Sequence, residues 1–364
     1  MRVLFYHSVP DWTGSGRAFA DAGRLLQARG YQVVFVCPPE SAVEQALAGE
    51  RFEIVTLQAD SSWATETMRL RQVLCDRFAE VVFVHTRREH VVAAAAARLA
   101  GRSAVLRRTP AGATFAGGAP SRAAAWLAAT GLVFTSAVER DSARAPRGVI
   151  ETVVADLGID VARYDDVRPA TAKSVGAREG GFLLACVYDP ASRARAATVL
   201  RTVALLSPRH PELHLALLGA GSDAEDLRMH AAALNVNRVV SHLGERDDQL
   251  AVLRAANVGW VVADHDTGAY AALDLMALRK PVLLERGAVA ARYVADGITG
   301  MHLPPGDAQA TAAALAGVIA RADDREAMGQ AGRTRAARDY GERATVDALE
   351  RAIVVARDRT LWFR

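Results

Sequence analysis

Two acidic residues, Asp266 and Asp274, stand eight positions apart in the stretch VVADHDTGAYAALDLMALRKPV between Val261 and Val282. A short apolar strand ends at Val262, Asp266 follows in a predicted loop, and Asp274 falls inside an apolar helical run stopped by Lys280 and Pro281. Such spacing is a little over two helical turns, so a helix beginning near Thr267 lets both carboxylates face one cleft. That cleft would lie beyond the carboxyl end of a parallel strand, where open α/β sheets bind their ligands. Carboxylates placed there suit sugar or ribose hydroxyls, since each oxygen accepts hydrogen bonds. Taken alone, a D-x7-D pair is more often two solvated acids beside an ordinary helix start.

Other residues of the right type recur at strand ends. Gly219 and Gly221 close one strand and open a helix, which permits a phosphate or base to approach the backbone and equally serves a plain turn. In the first half Gly14, Ser15, Gly16 and Arg17 form a predicted loop at the corresponding place. Arg17 there begins a helix, where the dipole disfavours a cation, so either an anionic partner holds it or it is simply exposed. His85 ends the buried strand of VVFVHTRR and is either a ligand-facing group or a satisfied core histidine. The Gly-rich segment Arg107–Arg122 opens with two arginines. With Arg87 and Arg88 it reads as a basic rim for a phosphorylated, acidic or membrane-surface acceptor, or as a solvated loop.

The elements positioning these residues alternate regularly. In the first half RVLFYHSV, YQVVFVCP, FEIVTL, EVVFVHT, SAVLRRT and GLVFTS read as strands separated by helical stretches. After the polar stretch Asp165–Gly181 the rhythm restarts with FLLACVYD, LHLALLGAG, RVVSHLG, VGWVVA and PVLLE. Short apolar strands between amphipathic helices imply parallel sheets covered on both faces. The expected architecture is α/β, two tandem Rossmann-like doubly wound domains facing a central cleft. The expected divisions are 1–165 for the first domain, 166–180 for a linker, 181–340 for the second, and 341–364 for a final helix crossing back to the first.

Composition narrows the classes further. With 364 residues and 51% hydrophobic content the chain can bury two cores. No run approaches the length of a membrane span, and the start MRVLFYHSVP has no signal-like region, which points to the cytoplasm. Cys37, Cys75 and Cys186 are widely spaced and in apolar surroundings, so they read as reduced core thiols and not as a metal site. A net charge of +3 argues against nucleic acid as partner.

At this level the chain resembles the GT-B glycosyltransferases, specifically the large retaining group called family 4. The segments carrying the likeness are GSGRAFADAGRLLQARGYQVVFV, FTSAVERD, LGIDVARY, LALLGAGSDAEDLRMHAAALNVNRVVSHLGERDDQLAVLRAANV and ADGITGMHLPPGDAQATAAAL, in that order. In that family the signature pair is two glutamates, matched here by Asp266 and Asp274. The resemblance implies that Asp266 touches the donor sugar, followed by Thr267 and Gly268, and that Asp274 holds the ribose. It also implies an arginine and a lysine against the donor diphosphate. The lysine position falls on Arg193, with Arg195 as the alternative, and the arginine position on Tyr188. Guanidinium binds phosphate well and neutralises the departing nucleoside diphosphate without a metal. Arg193 and Arg195 as solvated residues at a helix start is the other reading. Ala263 stands where the family has serine, and Arg279 where it has glycine. Family members also carry a histidine near His85, facing donor or acceptor.

The activity implied is transfer of a sugar from a nucleotide-sugar donor to an acceptor hydroxyl, with retention, no cofactor and no metal. Asp266, Arg193 and His85 are the candidate catalytic residues. Asp274, Gly219, Gly221, Arg195, Thr267, Gly268, Gly14, Gly16 and Arg17 are the candidate donor ligands. The acceptor is a phosphorylated, lipid-linked or small molecule, and membrane association is at most peripheral. The alternative is a GT-B protein that has lost turnover and serves as a binding or partner subunit. A sugar-nucleotide epimerase of this fold fits the motifs less well.

Overall fold

The apolar strands assemble into two separate parallel sheets. The computed structural model describes residues 1–58, 62–115 and 117–360. In the first half β1 (Arg2–Tyr6), β2 (Gln32–Cys37), β3 (Glu53–Thr56), β4 (Val81–Val84), β5 (Ala104–Arg108), β6 (Thr130–Phe134) and β7 (Val149–Val154) pair in the order β3-β2-β1-β4-β5-β6-β7. In the second, β8 (Phe182–Val187), β9 (Leu213–Leu218), β10 (Val240–Gly244), β11 (Val258–Val261), β12 (Val282–Glu285) and β13 (Gly300–Leu303) pair in the order β10-β9-β8-β11-β12-β13. Every pairing is parallel. Both units are therefore α/β and doubly wound, with the strand order reversing between β1 and β4 and between β8 and β11.

Alternation along the central strands divides the first core in two. Phe5 stacks between Phe35 and Phe83, at 5.0 and 4.9 Å between ring centroids, on one face of the sheet. Leu4, Tyr6, Val34 and Val82 point to the other, under Leu70, Leu74 and Val92 of the helices Trp63–Asp76 and Arg87–Ala100. Helix Glu342–Thr360 closes the Phe5 face with Val346, Leu349, Ala352 and Ile353. In the second unit Trp260, Cys186 and Leu217 form the centre of a core covered by helix Arg193–Leu206.

Contacts divide the chain into Met1–Gly158 joined by helix Glu342–Thr360, and Ile159–Gly341. The polar stretch 166–180 packs inside the second of these units: Val175 is fully buried, and the Ala170 amide donates to the Ala251 carbonyl at 2.9 Å. One apolar residue in a polar run is enough to anchor it. Residues 361–364, the end of the expected final helix, lie outside the described residues.

Two strands, β7 and β13, belong to stretches not predicted as strands. Each pairs on one side only, and β7 is half-buried along its whole length. An edge strand has one covered flank and a weaker apolar pattern.

Candidate functional site

In the second unit the loops at the carboxyl ends of β8 and β11 flank the point where the strand order reverses, the usual ligand site of such sheets. Helix His265–Ala277 starts directly after β11. Asp266 is therefore not in a loop but in the helix's first turn, and Thr267 and Gly268 with it. The turn forms that early because Gly268 permits it: a Cβ there would lie 2.1 Å from the Ala263 carbonyl oxygen. His265, between Asp264 and Asp266, has φ of +49°, a left-handed conformation uncommon for any residue but glycine. Strain of this sort collects at functional sites.

The two carboxylates of the D-x7-D pair are both buried, at 1% exposure for Asp266 and 0% for Asp274. Asp274 Oδ1 accepts a hydrogen bond from the Tyr164 hydroxyl at 2.5 Å, two turns along the helix from Asp266. Both carboxylates of the pair are thus enclosed within the second unit, and Tyr164 holds that of Asp274.

Arg195 forms an ion pair with Asp264 and also donates to Ser192. The amide of Asp264 in turn donates to the Asp189 carboxylate, and Ser192 Oγ to Asp189 Oδ1 at 3.0 Å. These bonds tie the loop after β8 to the loop after β11. Asp189 and Asp264 were not singled out by sequence reasoning: neither belongs to a recognisable motif, and 75 residues separate them. Arg193 begins helix Arg193–Leu206 and pairs with Asp226 at 2.7 Å, with 62% of its side chain exposed. Gly219 has φ of +107°, and a Cβ there would sit 2.2 Å from the Tyr188 carbonyl oxygen. Gly221 lies beside Pro190 of the same loop. Arg193, Arg195, Gly219, Gly221 and Asp266 thus gather at the carboxyl ends of β8, β9 and β11.

In the first unit His85 and His7 meet at the switch between β1 and β4, their rings 4.6 Å apart and stacked. His85 Nδ1 lies 2.9 Å from Glu89 Oε2, a fully buried carboxylate that also accepts from the amides of Ser8, His85 and Thr86. Burial, and then the neighbouring His85, lowers the His7 pKa to about 4. Glu89 is held well below the usual carboxylate range: His85, His7 and the Thr86 amide outweigh its burial. Gly14 and Gly16 are not in a loop; helix Gly14–Ala28 begins at Gly14, and Gly16 packs against Trp12 beside His7. Arg17 is the fourth residue of that helix, still in its first turn, with Nε 3.7 Å from Asp21. Among the described residues no helix is long and apolar enough to cross a membrane.

With this geometry in place, residues 167–335 match the family model described as glycosyl transferases group 1. Over that segment the chain is similar to the glycosyl transferases group 1 family. The segment contains Arg193 and Arg195, Gly219, Gly221 and the Asp266 helix. A sequence relative, the lipopolysaccharide core biosynthesis glycosyltransferase LpsE of Rhizobium meliloti (strain 1021), is 27% identical over 151 residues. That alignment spans 42% of this chain and 43% of the relative, less than half the length of either. Among solved structures, Anabaena HepE in complex with UDP and glucose superposes with a TM-score of 0.80 at 16% identity, covering 97% of this chain and 99% of that one. WaaG, a glycosyltransferase involved in lipopolysaccharide biosynthesis, does so with a TM-score of 0.68 at 15% identity, covering 97% and 99%. At these identities the likeness establishes the fold alone, the two-domain GT-B architecture.

Proposed function

We propose that the protein is a glycosyltransferase that takes a nucleotide-sugar donor in its second unit, UDP-sugars first among the candidates, and passes the sugar to an acceptor hydroxyl with retention. The observation supporting this most is the convergence of Arg193, Arg195 and the strained Asp264–Asp266 turn at the β8–β11 switch point. Two guanidinium groups beside a helix start match a diphosphate in charge and geometry. UDP and glucose in the HepE complex, on the same fold, make a UDP-sugar the natural first test.

In this reading Arg193 and Arg195 neutralise charge on the departing diphosphate, which accounts for turnover without a metal. Binding donor requires Arg195 to share or exchange Asp264 for phosphate. Asp266 faces the transferring sugar, and Gly219 and Gly221 let the nucleotide approach the backbone. Asp274, held by Tyr164, keeps the helix that presents Asp266 in place. The first unit serves the acceptor, with His85 at its switch point.

Thermal stability against a panel of nucleoside diphosphates and nucleotide sugars, with and without EDTA, tests the reading. Ligand at 100 times Kd stabilises the folded state by about 2.7 kcal/mol. A base-selective rise insensitive to EDTA is the expected result. No rise with any nucleotide supports instead a protein that has lost turnover and binds partners.

A further inference from the structure

Arg107 is the last but one residue of β5, and only 7% of it is exposed. Its guanidinium lies 4.7 Å over the Phe115 ring and donates from Nη1 to Ser121 Oγ at 3.1 Å, while Nε is buried without a hydrogen-bond partner. An arginine so enclosed ordinarily has a carboxylate against it, because an uncompensated buried charge is costly. His90 is held uncharged by burial and by Arg107 itself, and its Nε2 faces Thr130 Oγ1 at 3.5 Å. Glu89 is the acid whose field reaches Arg107, but its oxygens are taken by Ser8, His85 and Thr86.

Further positive potential surrounds the same place. Arg87, exposed at the start of the helix after β4, is close enough to repel Arg107, and burial together with that repulsion lowers the Arg107 pKa to about 10. Helix Ala119–Leu127 begins beside it, with Gly118, which has no side chain to cap it, at its N-cap. The neighbouring helix starts at Arg87 and Ala137 are each capped, by Thr86 and Ser136. The loop between β5 and helix Ala119–Leu127 is secured by Glu139, which accepts from the Gly112 amide at 2.7 Å.

We propose that Arg107, Arg87 and the Gly118 start of helix Ala119–Leu127 form a binding site for a phosphate monoester, carried by the acceptor. Two guanidinium groups and a helix N-terminus suit a group bearing close to two negative charges better than a carboxylate with one. Naming the acceptor as carrier rests on the transferase reading; the anion site does not.

The test is a calorimetric titration of methyl phosphate, inorganic phosphate and acetate into the full chain already saturated with UDP, which keeps the anion out of the donor site. Both phosphates are expected to bind, with acetate about tenfold weaker or more. Arg107→Gln should weaken methyl phosphate by about tenfold or more, and Arg87→Gln, at an exposed position that leaves folding intact, by a few-fold. UDP affinity should be unchanged in both. Phosphate binding that is undetectable, or unaltered in either folded variant, overturns the site. Acetate binding as tightly as phosphate overturns the monoester assignment. Inorganic phosphate binding with methyl phosphate excluded makes the site one for free phosphate, against an acceptor group. Failure of UDP to bind at all counts against the transferase reading and leaves the phosphate titration to decide the anion site.

Discussion

The Tyr164 hydroxyl donates to Asp274 Oδ1 at 2.5 Å, joining the short helical turn Val161–Tyr164 to the helix that begins with Asp266. Tyr164 is 5% exposed and Asp274 not at all. Tyr164→Phe should therefore destabilise the protein by about 1.5–3 kcal/mol, the range for a buried hydrogen bond to a charged group. Asp274→Ala should destabilise comparably, and the double variant by less than the sum. Urea denaturation of the three variants measures this. Strictly additive losses would contradict the pairing, and loss of UDP affinity from Asp274→Ala at unchanged stability would return Asp274 to the ribose.

Gly268 and Gly219 are fixed by close backbone approaches of 2.1 and 2.2 Å from an added Cβ to a carbonyl oxygen. Gly268→Ala and Gly219→Ala should each cost about 2 kcal/mol or more, since backbone on both sides must move. Gly306→Ala, with positive φ but open space around it, should cost no more than about 1 kcal/mol. Melting temperatures that rank the three otherwise would contradict this.

Arg279 holds φ of +59° where the resemblance has glycine, and its ion pair with Asp165 is long, 3.8 Å, and partly exposed. A left-handed conformation costs a side-chain-bearing residue about 1–2 kcal/mol, and an exposed ion pair returns little. Arg279→Gly should leave stability unchanged or raise it by up to about 1 kcal/mol, read by chemical denaturation. A loss above that would mean Arg279 makes a contribution of its own.

Stability should fall as the medium is acidified from about pH 6.5 to pH 4. His7 and His90 have folded-state pKa values lowered to about 4 and about 3, chiefly by burial. Between those values and the ordinary 6.5 the unfolded chain binds more protons, so stability rises with pH through this window. Glu89, depressed below the usual range, acts in the same direction at the acid end. Together the histidines should account for a few kcal/mol, and His90→Gln should flatten the profile. A profile flat from pH 6.5 to 4 in the parent protein would contradict the burial of these rings.

The central strands were legible because each is apolar, short and bounded by turn residues. The edge strands β7 and β13 were not, since much of each is only partly buried and the apolar signal thins. The D-x7-D pair was legible as two acids near one helix start, but its surroundings were not. Nothing in the spacing shows that Gly268 lets the helix begin at His265, or that Tyr164 reaches Asp274 from 110 positions away. The Arg195–Asp264–Asp189 network escaped for the same reason: sequence displays neighbours along the chain, and these residues are neighbours only across the β8–β11 switch. Arg107 was visible as one of two arginines opening a Gly-rich loop, whereas its burial without an acid was not.

Calorimetric titration of UDP-glucose and other nucleotide sugars in EDTA, into the parent protein and the Arg195→Gln and Asp266→Asn variants, tests the central claim most directly. The account predicts one-to-one binding of a donor by the parent, weakened about tenfold or more in both variants with the fold retained. Absence of binding by every nucleotide sugar, or binding that neither variant alters, would contradict a donor site at the β8–β11 switch.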